Sequence, residues 1–390
     1  MTSIYHKIAV AAASAALNLT LINVYTAQAA SFTFTKIAET SIKPLTFSTP
    51  AINNNGIVSF VKGPSNLIIS NGQDSQLIAT NTFDSISDIN EHEQVTYFGR
   101  TPGDIGIFIA DRNLITTVAD TSSLFSSFGR SSINNNGTVV FQAELDGGGE
   151  GIFIGNSTTP PNSVTTIADT SGVFTKFDEF PSINDKGTVA FIAQQNLGFG
   201  AFISSGGTIT TIIEPGNLDI LPSRPLSINN NNTVAFTGLR RENDIFVSGI
   251  YIADSTTPPN TVTTIVDSNS IFASFSYPVI NDSGTVAFGA FLDTGDEGIF
   301  IGSDPISDKV IATGDSLFGS TVDSIFFFSR GLNNSGQIAF HARLADGRQV
   351  LVRANPKSVP EPTSVLGLMA FGAFGLGSLL LRKKKQLAKF

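Results

Sequence analysis

Ten residues, SINDKGTVAF at 182–191, recur with small changes six more times, and this repetition limits the fold more than any other feature of the 390-residue chain. The other copies are AINNNGIVSF (51–60), DINEHEQVTY (88–97), SINNNGTVVF (132–141), SINNNNTVAF (227–236), VINDSGTVAF (279–288) and GLNNSGQIAF (331–340). Their first asparagines fall at 53, 90, 134, 184, 229, 281 and 333, a spacing of 37 to 52 residues. A period of that length denotes stacked supersecondary units rather than independent domains.

Two further pieces share the period. GIFI stands at 106–109, 151–154 and 298–301, with GAFI at 200–203 and GIYI at 249–252. TTIAD stands at 165–169, with relatives at 116–120, 210–214 and 263–267. Together they read as a four-stranded antiparallel meander. A strand ending in Ile-Asn turns through Asn-Asn-Gly, where Gly137, Gly187 or Gly284 takes positive φ, and returns as TVAF. Asn232 fills the glycine position in one copy, and asparagine tolerates that conformation next best. Glu93 fills it in another, so an irregular turn is expected in the second repeat.

The strands TVVF and GIFI are apolar at consecutive positions, which means that both faces of each sheet are covered. A sandwich would show alternation, whereas sheets packed face to face around a ring would not. The phase of the repeat favours closure of such a ring. FTKIAETS at 34–41 matches VTTIADTS at 164–171 and reads as a fourth strand, while the last repeat stops after its third strand, RQVLVRA at 348–354. Pairing the two removes the exposed edge. The expected fold class is therefore all-β: a seven-bladed β-propeller of four-stranded antiparallel blades over residues 30–355, closed by the N-terminal strand.

The ends have a different character. Residues 1–29 read as a signal peptide, with Lys7, an apolar stretch from Ile8, and small residues Ala27 and Ala29 at the cleavage site. At the other end a linker (356–363) precedes an apolar stretch (364–381) long enough for a transmembrane helix, and a basic tail (382–390) opens with Arg382, Lys383, Lys384 and Lys385 as a stop-transfer cluster. The expected location is outside the cytoplasm, at the cell envelope, the cell surface or beyond it, by way of a membrane-anchored precursor. Without the signal peptide and the basic tail, 17 basic residues face 32 acidic ones, so nucleic acid is excluded as a partner. There is no cysteine, so no disulfide holds the exported chain together.

Pro360, Glu361 and Pro362, followed by an apolar helix and a basic end, resemble the PEP-CTERM sorting signal. The resemblance implies an exosortase-type membrane protease as a partner, which removes the helix and releases or transfers the protein. The tail QLAKF after the basic cluster is longer than that pattern. The repeats are in turn similar to the NxxGxxAF repeat of exported bacterial proteins: Asn184, Gly187, Ala190 and Phe191 match, as do Asn281, Gly284, Ala287 and Phe288. This second resemblance spans roughly residues 32–354 and implies location and architecture, without an activity.

No catalytic constellation is found in the sequence. Thiol chemistry is ruled out, no Gly-x-Ser-x-Gly elbow or phosphate loop occurs, and a histidine metal site would need both His92 and His341 with carboxylates. The acidic loops LDGGGE (Asp146, Glu150) and LDTGDE (Asp293, Asp296, Glu297) are candidate loop-binding positions for Ca²⁺, although no EF-hand spacing is present and solvated turns are the favoured account. The acid closing each TTIAD piece (Glu39, Asp120, Asp169, Glu214, Asp267) reads as a turn former that accepts backbone N–H bonds. The expected function is a non-enzymatic binding or structural role in the envelope or extracellular matrix, with extracellular polysaccharide as a candidate partner. The alternatives are a secreted polysaccharide-active enzyme and a calcium-dependent adhesion module.

Overall fold

The computed structural model describes residues 31–357 apart from 42–46, 84–86, 113, 159 and 329. The signal peptide, the sorting triplet, the apolar stretch and the basic tail lie outside the described residues. All regular elements within them are strands, arranged as seven antiparallel sheets that make a seven-bladed β-propeller.

Blade three shows the plan. Phe125–Ile133, Thr138–Leu145, Glu150–Asn156 and Thr165–Asp169 pair in chain order, so the strand ending in Ile-Asn comes first and the TTIAD strand last. In blades four and six the first strand breaks in two, Lys176–Phe177 with Ser182–Ile183 and Phe272–Phe275 with Val279–Ile280. Pro181 and Pro278 lie in the breaks, where proline has no N–H to give the ladder. Blade seven carries an extra short strand, Ser316–Leu317, before Ser320–Phe326. Three of the seven sheets thus hold five strands where four were expected.

The ring closes as the repeat phase predicts. Phe32–Thr40 lies antiparallel on Gln349–Pro356, with Ala38 opposite Leu351 and Glu39 opposite Val350. Ile37 falls at the one register shift of this pair and is buried against Phe60 and Leu351. Lys357 N donates to Ser31 O at 2.8 Å, so both ends of the described chain sit at one edge of blade seven.

Burial on both sheet faces also follows the sequence. Val189, Ala190, Phe191, Ile192 and Ala193 are five consecutive buried residues. In blades three to six the phenylalanine ending the repeated phrase lies opposite the aromatic of the GIFI piece: Phe141 opposite Phe153, Phe191 opposite Phe202, Phe236 opposite Tyr251 and Phe288 opposite Phe300. These ring pairs are 5.6–6.1 Å apart and anchor the core of their blades.

All seven hairpin turns share one geometry, the second included. At the fourth position Gly56, Glu93, Gly137, Gly187, Asn232, Gly284 and Gly336 have φ between 62° and 84°. Glu93 N bonds Asn90 O and Asn90 N bonds Gln94 O, as in the other copies, so the irregular turn expected there does not occur. Glu93 accepts the left-handed conformation because the hydrogen bonds around it fix the turn. A β-branched residue pays more for that conformation. Gly187 has nothing within 4 Å of an added Cβ, so Gly187→Val is expected to lose about 1–3 kcal/mol through the backbone alone, read as a lowered melting temperature.

Candidate functional site

The repeated turns converge on the propeller axis, where the first asparagine of each copy does two things at once. In blade four, Asn184 Oδ1 accepts the backbone N–H groups of Lys186 (3.0 Å) and Thr188 (2.9 Å), which fixes its own turn. Its Nδ2 donates to the backbone carbonyl of Asn229 in the next blade at 2.9 Å. The same bond runs from Asn53 to Asn90, Asn134, Asn184, Asn229, Asn281, Asn333 and back to Asn53, with lengths of 2.9–3.1 Å. The result is a closed circle of buried amides.

A second circle lies beside it. The backbone N–H of the next residue in each turn donates to the side-chain oxygen of the corresponding residue one blade on: Asn54 to Glu91, then Asn135, Asp185, Asn230, Asp282, Asn334 and back to Asn54. Only the fourth position needs positive φ; the first two positions join the blades. A signal for this was present, since asparagine holds the first position in all seven copies, even where the glycine is replaced, and the second is always Asn, Asp or Glu.

The two circles frame a polar cup of about 150 Å³ whose floor is the aliphatic residue before each ring asparagine, from Ile52 round to Leu332. Below it, Arg330 reaches across the axis from blade seven. Its guanidinium pairs with Asp88 at 3.0 Å and donates to Ser132 Oγ at 2.7 Å and to Pro181 O at 3.4 Å, so one side chain ties blade seven to blades two, three and four. Asp88 also accepts Ser132 Oγ and Ile133 N. No repeated motif flags this cross-link. Phe328 contributes an apolar layer, packed on Tyr277 at 4.3 Å and on Phe180 at 6.1 Å between ring centroids.

The acidic loops open on the face opposite the asparagine circles. Asp146, Asp293 and Asp296 are exposed there. Glu150 turns inward to join blades three and four, accepting Phe177 N at 2.8 Å and Gln142 Nε2 at 2.9 Å. Glu297 does the corresponding thing between blades six and seven, accepting Ile325 N at 3.2 Å, and burial holds its carboxyl above the usual glutamate range. Among the described residues no three Asp, Glu or His side chains gather where they could hold a metal ion. Asp120, Asp169 and Asp267 each accept a backbone N–H two residues on, as their turn-forming reading requires. Glu39 instead pairs with Lys36 and Arg348.

The two histidines occupy unrelated places. His92 is exposed in an asparagine turn, whereas His341 is fully buried between blades seven and one, stacked on Phe326 at 5.1 Å with Phe47 edge-on at 6.0 Å. Neither ring nitrogen of His341 has a hydrogen-bond partner.

Comparison with known proteins adds the following. Residues 358–385 match the PEP-CTERM protein-sorting motif. That is the motif of an exported protein, sorted by an exosortase and anchored in the membrane before processing. Residues 107–217 match a family of unknown function, DUF7453, which covers the end of blade two through blade four. No curated protein matches the chain. Among solved structures, a prolyl endopeptidase is similar at 11% identity and a TM-score of 0.52, covering 79% of this chain and 46% of that one. Prolyl oligopeptidase B from Galerina marginata is similar at 8% identity and a TM-score of 0.51, covering 81% and 50%. The chain spans about half the length of these peptidases, and at such identities the likeness is one of fold alone.

Proposed function

We propose that the protein is a non-enzymatic propeller displayed on, or released from, the outer surface of the envelope, where it binds or organises extracellular material. The observation that carries this reading is where the sorting motif attaches. The motif starts at residue 358, immediately after a strand whose last residues lie on the asparagine face, since Asn355 and Gln337 are hydrogen-bonded there. A precursor tethered at that point presents its opposite face outward. That face carries Asp146, Asp293 and Asp296, and beside them the exposed Leu124, Val173 and Ile271, each one residue before a buried phenylalanine. Isolated apolar residues are ordinary on a surface, but recurrence at one position of three blades gives this face a repeated contact pattern. The similarity of the repeats to the NxxGxxAF repeat of exported proteins agrees with the same location.

Two experiments test the reading. Replacing Pro360, Glu361 and Pro362 by alanine is expected to trap the precursor in the membrane fraction, whereas the unmodified chain appears at the surface or in the medium. Recovery of intact peptides from Ser364 through Phe390 in surface material of the unmodified strain would show a permanent anchor and no processing. A glycan array probed with the full chain in detergent tests polysaccharide as the partner, and binding that survives charge reversal at Asp146, Asp293 and Asp296 would remove those loops from the contact.

A further inference from the structure

Blades three and six are built on the same plan, and one difference between them leaves a cavity. Glu150 and Glu297 occupy the same strand position, each opposite the penultimate residue of the preceding strand, Glu144 and Phe291. In blade three Gln142 Nε2 covers the Glu150 carboxylate, and the glutamine side chain passes over Gly129, where an added Cβ would come within 2.6 Å of it. In blade six the residue aligned with Gln142 is Gly289 and that aligned with Gly129 is Ser276, a shorter pair. The serine does not replace the glutamine. Glu297 keeps one hydrogen bond, from Ile325 N, and beside it lies a cavity of about 300 Å³ between blades six and seven, walled by Phe291, Ile325, Phe326, Phe327 and Phe328.

A pocket of that volume is at the lower end of those that hold small ligands. Its walls are aromatic, and among the described residues its titratable lining group is one half-buried carboxylate with a single hydrogen bond. Phenylalanine rings offer a cation their negative faces and no hydroxyl or N–H, and a carboxylate with an open oxygen attracts a cationic donor. The acidic surplus of the chain adds attraction of the same sign. We infer that the cavity between blades six and seven binds an organic ammonium ion on an apolar or aromatic body, with the ammonium at Glu297 and the body among the phenylalanines. The inference does not depend on where the protein is displayed.

Calorimetry on the full chain in detergent, with 2-phenylethylamine at neutral pH and its uncharged analogue 2-phenylethanol, tests it. The amine is expected to bind saturably and at least tenfold more tightly than the alcohol. Glu297→Gln keeps an acceptor for Ile325 N and removes the charge, so it should weaken the amine at least tenfold and leave the alcohol unchanged. The double variant Ser276→Gly with Gly289→Gln rebuilds the blade-three arrangement and should abolish binding of both. In the unaltered protein the amine should shift the Glu297 carboxyl carbon resonance, a readout that needs no variant to fold. Absence of saturable amine binding, equal affinity for amine and alcohol, or undiminished amine binding by Glu297→Gln overturns the inference.

Discussion

Asn184→Asp is expected to destabilise the propeller by about 3 kcal/mol or more, although it changes one atom of the side chain. The carboxylate retains an oxygen for Lys186 N and Thr188 N. It loses the donor to Asn229 O and sets a negative charge against that carbonyl at a position only 4% exposed. Uncompensated buried charge is among the most costly changes a core can receive. Because the circle is closed, a break at one link leaves the carbonyl of the next blade without its partner and weakens the packing of blade four on blade five. Chemical denaturation at pH 7 should put Asn184→Asp below Gly187→Val, which disturbs the same hairpin without touching the circle. Equal stability of Asn184→Asp and the unmodified protein would show that the amide circle does not hold the blades.

His341 predicts a dependence on pH. Burial pushes its pKa down to about 4 from the ordinary histidine value of 6.5, so the folded protein resists the proton that the unfolded chain accepts. Between those values the unfolded state binds more protons, and stability falls as pH drops from about 6.5 towards 4, then levels off below it. At 1.36 kcal/mol per unit the span is worth about 3 kcal/mol. Carboxylates such as Asp346 and Glu39, held below their usual range by ion-paired hydrogen bonds, lose stability over a partly overlapping acid range, so the total profile is not diagnostic. The diagnostic quantity is the difference from His341→Ile, since isoleucine occupies the same place as the buried Ile192 of blade four. This variant should be at least as stable at pH 7 and should pull ahead as pH falls. Parallel melting curves for the two proteins from pH 7 to 4 would count against the buried neutral imidazole.

The ring could be read from the sequence because its causes are local and repeated. The glycine turns, the consecutive apolar positions and the stray fourth strand at the N-terminus each follow from backbone rules that act over a few residues, and they put the N-terminal strand beside the last one, as found. The second turn was misread because Glu93 was judged by its own preference, while Asn90 on one side and Gln94 on the other dictate the conformation. The amide circles were missed for a different reason. Each is made of bonds between residues 37 to 52 positions apart, and one that joins the two ends of the array across 280, so their partners become apparent only when the blades are set side by side. Arg330 with Asp88, and the cavity beside Glu297, are further still from sequence reasoning, because each depends on residues that depart from the repeat. The Gly289 that opens the cavity has an ordinary strand conformation and carries no mark of its role until Gln142 is seen in its place three blades earlier.

The position of the last strand determines how a load would enter the molecule. Gln349–Pro356 lies inside blade seven, with Ile338–Leu344 on one side and Phe32–Thr40 on the other. A pull applied beyond residue 357 runs along that strand, and the ladders on both sides must slide together before it yields. An outer strand pulled sideways would open one bond at a time. The same placement would protect the ring from a cut within 358–385, because any such cut lies beyond the final ladder bond and leaves both neighbours of the strand in register.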